Sequence, residues 1–78
     1  MKKMRKLYLV HGIHDGTLAI CSNIKRAYEI TEDYNSHNND EKEYERMTYS
    51  QTTKAFKNGR AITYHGDATI ELRYLNSY

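Results

Sequence analysis

The chain has no proline, four glycines and one cysteine among its 78 residues. A flexible linker or low-complexity tail would be richer in Pro, Gly and Ser, so the composition predicts an ordered chain. A single cysteine, Cys21, leaves no intramolecular disulfide and fits a reducing, cytoplasmic setting. No apolar run approaches the roughly 18 residues a spanning helix needs, so no membrane partner is expected. The opening Met1-Lys2-Lys3-Met4-Arg5-Lys6 precedes Leu7-Tyr8-Leu9-Val10. That apolar stretch breaks at His11-Gly12 with no small-residue cleavage site beyond it, which argues against a signal peptide.

Catalytic signatures are also missing. There is no Cys-x-x-Cys, no His-Glu-x-x-His and no glycine-rich phosphate loop. His11 and His14 are three apart, which on a strand sets them on opposite faces, away from a shared metal. Cys21 closes a strand in an apolar setting with no histidine placed beside it, so it reads as a small packed thiol. Asp15 and Asp67 fall in turns, where their local hydrogen bonding explains them. The expectation is a binding protein and not an enzyme, with no metal and no cofactor.

Length gives one domain, residues 1–78, with a thin core, since a chain this short buries only about 60% of its unfolded surface. Hydrophobic residues make up 38%, and eight of them are tyrosines whose hydroxyls need partners. A bound partner or a homodimer would supply the missing burial.

Turn and periodicity signals predict an α+β fold: two antiparallel β-hairpins forming one sheet, with two or three helices between them in sequence, ββα-(α)-αββ. Residues 6–13 read as a strand, His14-Asp15-Gly16 as a turn and residues 17–21 as the returning strand. Ser22 is placed to cap a helix bearing Ile24, Ala27, Tyr28 and Thr31 on one face and running to about Tyr34. Residues 35–40 read as a polar loop, and residues 41–46 as a charged segment with an optional short helix. Thr48 or Ser50 caps the next helix, which stops at Asn58-Gly59. Residues 60–65, a Gly66-Asp67 turn and residues 68–75 complete the second hairpin. In its last strand Ala68, Ile70, Leu72 and Tyr74 alternate with Thr69, Glu71 and Arg73, giving one buried and one wet face. The predicted core is Leu9, Ile24, Ala27, Tyr28, Phe56, Ile62, Ile70 and Leu72. The pattern Ser-x-x-x-basic-Ala-aromatic occurs twice, at 22–28 and 50–56, as expected of two helix starts.

Net charge is +2, and its distribution carries more information. Residues 1–22 hold four basic groups against Asp15, residues 23–47 hold four against seven acidic ones, and residues 48–78 hold four against two. Two basic ends flank an acidic middle. The acidic middle defines one candidate surface: Glu29, Glu32, Asp33, Glu41, Glu43 and Glu45, with Tyr34 and Tyr44 as aromatic anchors, facing a basic protein partner. The basic ends define the alternative, nucleic acid. Lys2, Lys3, Arg5 and Lys6 form an arm, and Lys54, Lys57 and Arg60 form a cluster with Tyr49 and Gln51, a mixture suited to phosphate contact and base reading.

The pieces Ser22, Ala27 and Tyr28, then Tyr49-Ser50-Gln51, Lys54, Lys57-Asn58-Gly59 and Tyr64, resemble the modular DNA-binding repeats of phage and intron homing endonucleases. In those, a strand leads to a Ser-capped helix, followed by a second helix and a strand. The likeness covers under half the chain. The acidic segment 29–45 stands where the repeats have a tight turn. The short, Tyr-, Asn- and Lys-rich, proline-free character also resembles accessory proteins of phages of low-GC bacteria. That likeness implies a protein that binds and inhibits a host nucleic-acid-handling or defence complex.

Overall fold

The structure, a computed structural model, describes residues 3–37 and 46–77. The order is β1 (Lys3–Gly12), β2 (Gly16–Cys21), α1 (Ile24–His37), α2 (Tyr49–Lys57), β3 (Ile62–His65) and β4 (Ala68–Ser77). All pairings are antiparallel and the strands lie in the order β2-β1-β4-β3. The α+β class and the two terminal hairpins match the sequence reading. The optional helix over 41–46 falls on residues outside those described, except Arg46, which bridges His65 in extended conformation.

Each hairpin turns on a glycine at positive φ, Gly16 at 70° and Gly66 at 65°. The hairpins meet along β1 and β4, in unbroken register from Lys3↔Ser77 to Gly12↔Ala68. In β2, Val10 pairs with Ala19 and His11 with Thr17, so Leu18 is the extra residue of a bulge.

Parity fixes which side of the sheet the helices cover. Tyr8, Val10, Cys21, Thr63, His65, Ala68 and Ile70 all point inward and are buried. Against them pack Ala27 of α1 and Phe56 of α2, the latter edge-on to Tyr8 at 5.4 Å between ring centroids. Two of the expected core residues belong to the other side. Leu9 faces away with Glu71 as its partner, and Ile62, also opposite Glu71, is 37% exposed. The run Leu7-Tyr8-Leu9-Val10 is apolar at every position, so alternation could not tell its two faces apart.

The helix ends show local chemistry at work. Asn23, not Ser22, caps α1, its Oδ1 accepting from the Arg26 N–H at 2.8 Å. The helix also runs three residues past Tyr34, because the buried Asn35 has partners on the sheet. Its Nδ2 donates to the His65 carbonyl at 2.6 Å and its Oδ1 accepts from the Asp67 N–H at 3.1 Å. Thr48 caps α2 in a reciprocal box with Gln51. At the other end Gly59 takes φ 93°, with Gly59 N–H to the Phe56 carbonyl and Arg60 N–H to the Ala55 carbonyl, a Schellman ending.

Candidate functional site

Three stretches of sequence that carry positive charge come together at one end of the molecule. β2 pairs with β1 only from Tyr8 onward, and β3 pairs with β4 only as far as Glu71. Residues 3–7 and 73–77 therefore form a two-stranded ribbon projecting past the four-stranded sheet. At about 3.3 Å per residue it extends roughly 17 Å. It contains Lys3, Arg5, Lys6 and Arg73 and no Asp or Glu. Arg5 and Lys6 are exposed. α2 delivers its last turn, with Lys54 and Lys57, to the base of this ribbon: Phe56 rests on Tyr8, and the Leu72 N–H donates to the Ala61 carbonyl at 2.8 Å. Among the described residues, no carboxylate pairs with Arg5, Lys6, Lys54 or Lys57.

The other expected nucleic-acid contacts are placed differently. Lys2 lies outside the described residues. Gln51 is engaged in its capping box, its side-chain oxygen accepting from the Thr48 N–H at 2.8 Å, so helix capping explains it. Tyr49 stacks edge-on against Tyr28 at 5.5 Å and keeps part of its ring exposed. Arg60 folds back along β3. Its Nε donates to the Ile62 carbonyl at 2.8 Å and its guanidinium sits 5.5 Å from the centre of the Tyr64 ring. Arg73 was absent from the expected cluster. Its place in the wet half of the β4 alternation was the available signal, but its proximity to Arg5 follows only from the β1–β4 register.

The acidic candidate surface comes together less well. Glu29, Glu32 and Asp33 are exposed on α1. Glu29 has Arg26 at 3.7 Å, which offsets part of its charge, and Asp33 has the His37 ring at 3.6 Å. Tyr34 is not a surface anchor. It is buried, its hydroxyl accepts from the His14 N–H at 3.1 Å, and its ring fills the space above Gly12. The helical period that carries Thr31 inward carries Tyr34 with it. Glu41, Glu43, Tyr44 and Glu45 lie outside the described residues.

Among the described residues, nothing is seen to cover the helix-free face of the sheet, where Ile20, Ile62 and Tyr64 are exposed. Ile20, Leu9, Glu71 and Ile62 make one row across the four strands. Its Glu71 carboxylate is held by Arg73 Nε at 2.9 Å and His11 Nε2 at 3.1 Å. Arg73 first and His11 after it keep that carboxyl below its ordinary pKa, against burial, which acts the other way. The next row carries Tyr64, 51% exposed, beside Thr69 and His11.

Buried polar groups here serve the fold. His65 is 2% exposed, with Nε2 at 2.8 Å from Thr63 Oγ1. Burial lowers its pKa to about 4, with a hydrogen bond to the Met47 backbone pulling the other way. Burial pushes the Cys21 thiol up, the direction opposite to an activated nucleophile. Among the described residues no three His, Cys, Asp or Glu side chains are grouped to hold a metal. No helix among them is long and apolar enough to cross a membrane. No family model, curated protein or solved structure matches this chain.

Proposed function

We propose that this chain is a non-catalytic binding protein of a nucleic-acid-handling system, and that it contacts the phosphate backbone directly through its basic end. The observation that carries this reading is the ribbon of residues 3–7 and 73–77, with four basic residues, no carboxylate, and Lys54 and Lys57 at its base. Arg73 is paired with Glu71, but Arg5 and Lys6 on the ribbon have no carboxylate partner among the described residues, and cations left free on a projecting element suit a polyanion, whose bound counterions are released on contact. Phosphate contacts dominate such affinity and need no catalytic group.

The exposed carboxylates Glu29, Glu32 and Asp33 favour a second reading. In it, an accessory protein of the phage type docks its α1 face on a basic host protein and modulates it, with charge acting mainly on the association rate.

Fluorescence anisotropy with labelled oligonucleotides separates the two. On the first reading Arg5→Glu with Lys6→Glu abolishes binding, whereas Glu29→Lys with Glu32→Lys leaves it intact or tightens it. Failure of the unaltered protein to bind single or double strands at low salt would overturn the first reading. It would leave the α1 face as the surface to pursue in pull-downs from a host lysate.

A further inference from the structure

We infer that the helix-free face of the sheet is a platform for single-stranded nucleic acid, with the Arg60–Tyr64 pair as its stacking element; this rests on the nucleic-acid reading above. The face is apolar at its centre and cationic at its border. Leu9, Ile20 and Ile62 share a row on it, and Ile20 is 65% exposed. Strand parity adds Arg5 and Arg73 to the same side, and Arg60 reaches it over the Tyr64 ring. The one carboxylate in that row, Glu71, is already held by Arg73 and His11. The surface therefore offers net positive charge around exposed hydrocarbon.

That combination selects among occupants. A second copy packed face to face would bring two sets of Arg5, Arg60 and Arg73 together against Glu71, already held, and Asp67 at the hairpin tips, an excess of cations that costs heavily when desolvated. A duplex presents phosphates outward and would leave Leu9, Ile20 and Ile62 against charge. A single strand presents both kinds of surface at once, flat bases to the apolar centre and phosphates to the arginines.

The place for a base is preformed. The Tyr64 ring is half exposed and carries the Arg60 guanidinium at 5.5 Å, and bases stack on both kinds of plane. Beside it lies a hollow of about 300 Å³ reaching to the tips of the two hairpins. His11 lines it with both ring nitrogens engaged by Glu71 and Thr17, and the Asp67 and Thr69 side chains supply polar groups for a base edge. The tips are tied together by the Ile13 N–H donating to the Asp67 carbonyl at 2.8 Å, so the hollow is framed by paired backbone.

The test compares a short labelled oligothymidylate with a hairpin duplex, using the full chain and measuring anisotropy. The oligothymidylate should bind more tightly. Tyr64→Ala should weaken it by roughly 5- to 150-fold, the range for loss of one stacked base, while leaving duplex affinity unchanged. Tyr64→Phe should keep the affinity, and circular dichroism of both variants separates stacking from a folding defect. Tighter duplex binding, with Tyr64→Ala silent, would overturn the platform and leave the phosphate-contact function standing. No binding to either would overturn both. Equal displacement of the oligothymidylate by polyglutamate would reduce the face to a charge reader and overturn the platform. So would a dimer that Leu9→Lys with Ile20→Lys dissociates.

Discussion

His65 makes the stability of this protein depend on pH in a window set by its burial. The ring is 2% exposed, accepts or donates at Thr63 Oγ1, hydrogen bonds to the Met47 backbone and stands edge-on to Tyr28 at 5.6 Å. The folded pKa is about 4 against an ordinary value of 6.5. Between those values the unfolded chain binds a proton that the native state refuses, so stability rises with pH there. The contribution is complete above about pH 6.5, is lost progressively as pH falls towards about 4, and changes no further below that. A gap of about 2.5 units corresponds to about 3 kcal/mol at 1.36 kcal/mol per unit. That is a large share of the roughly 5–15 kcal/mol typical of a domain. Urea denaturation followed by circular dichroism across this range should show the midpoint falling for the native sequence and staying nearly level for His65→Gln. Glu71, whose pKa is lowered, acts in a separate window below its ordinary 4.5. Equal acid sensitivity of the native chain and His65→Gln between about pH 6.5 and 5 would refute the reasoning.

Three further outcomes test the packing. Ile70→Ala, at a site with no exposure, should cost about 2–5 kcal/mol in urea denaturation, and Ile62→Ala, on the helix-free face, well under that. Equal costs would mean the sheet faces are assigned backwards. Asn35→Ala should cost roughly 2–4 kcal/mol, because it strands the His65 carbonyl and the Asp67 N–H together, and the Asp67 amide should then exchange faster with deuterium. Gly12→Ala should cost about 1–3 kcal/mol, since its new Cβ would lie 2.5 Å from the Tyr34 ring. Tyr34→Leu should recover part of that loss in a double-mutant cycle, and strict additivity would show that the two do not touch.

Local signals were enough to read the hairpins, both helices and the wet face of β4. Gly16, Gly66 and Gly59 mark their turns and helix end because each adopts positive φ. The alternation in residues 68–75 shows its period because charged residues occupy every second site. Where alternation was absent, as at Leu7–Val10, the choice of face depended on what packed opposite and was invisible. Ser22 and Asn23 are both good caps, and the chain's geometry decided between them. Tyr34 looked like a surface anchor because its neighbours are acidic, yet helical periodicity and the cavity above Gly12 turn it inward. The basic ribbon was the least legible feature. Its charges lie some seventy residues apart, and only the central β1–β4 pairing, a long-range contact with no local signal, brings Arg73 to Arg5.

The central claim, that the basic end engages nucleic acid, is tested most directly by the salt dependence of oligonucleotide binding by the unaltered protein. Arg5, Lys6, Lys54, Lys57, Arg60 and Arg73 are the exposed cations that the proposal assigns to phosphate contact. If about four to six phosphates are neutralised, the logarithm of affinity should fall against the logarithm of salt with a slope of about −3 to −5. A slope in that range, made shallower by Arg5→Glu with Lys6→Glu, is the expected result. No measurable binding at about 50 mM salt, or a slope near zero, would contradict it.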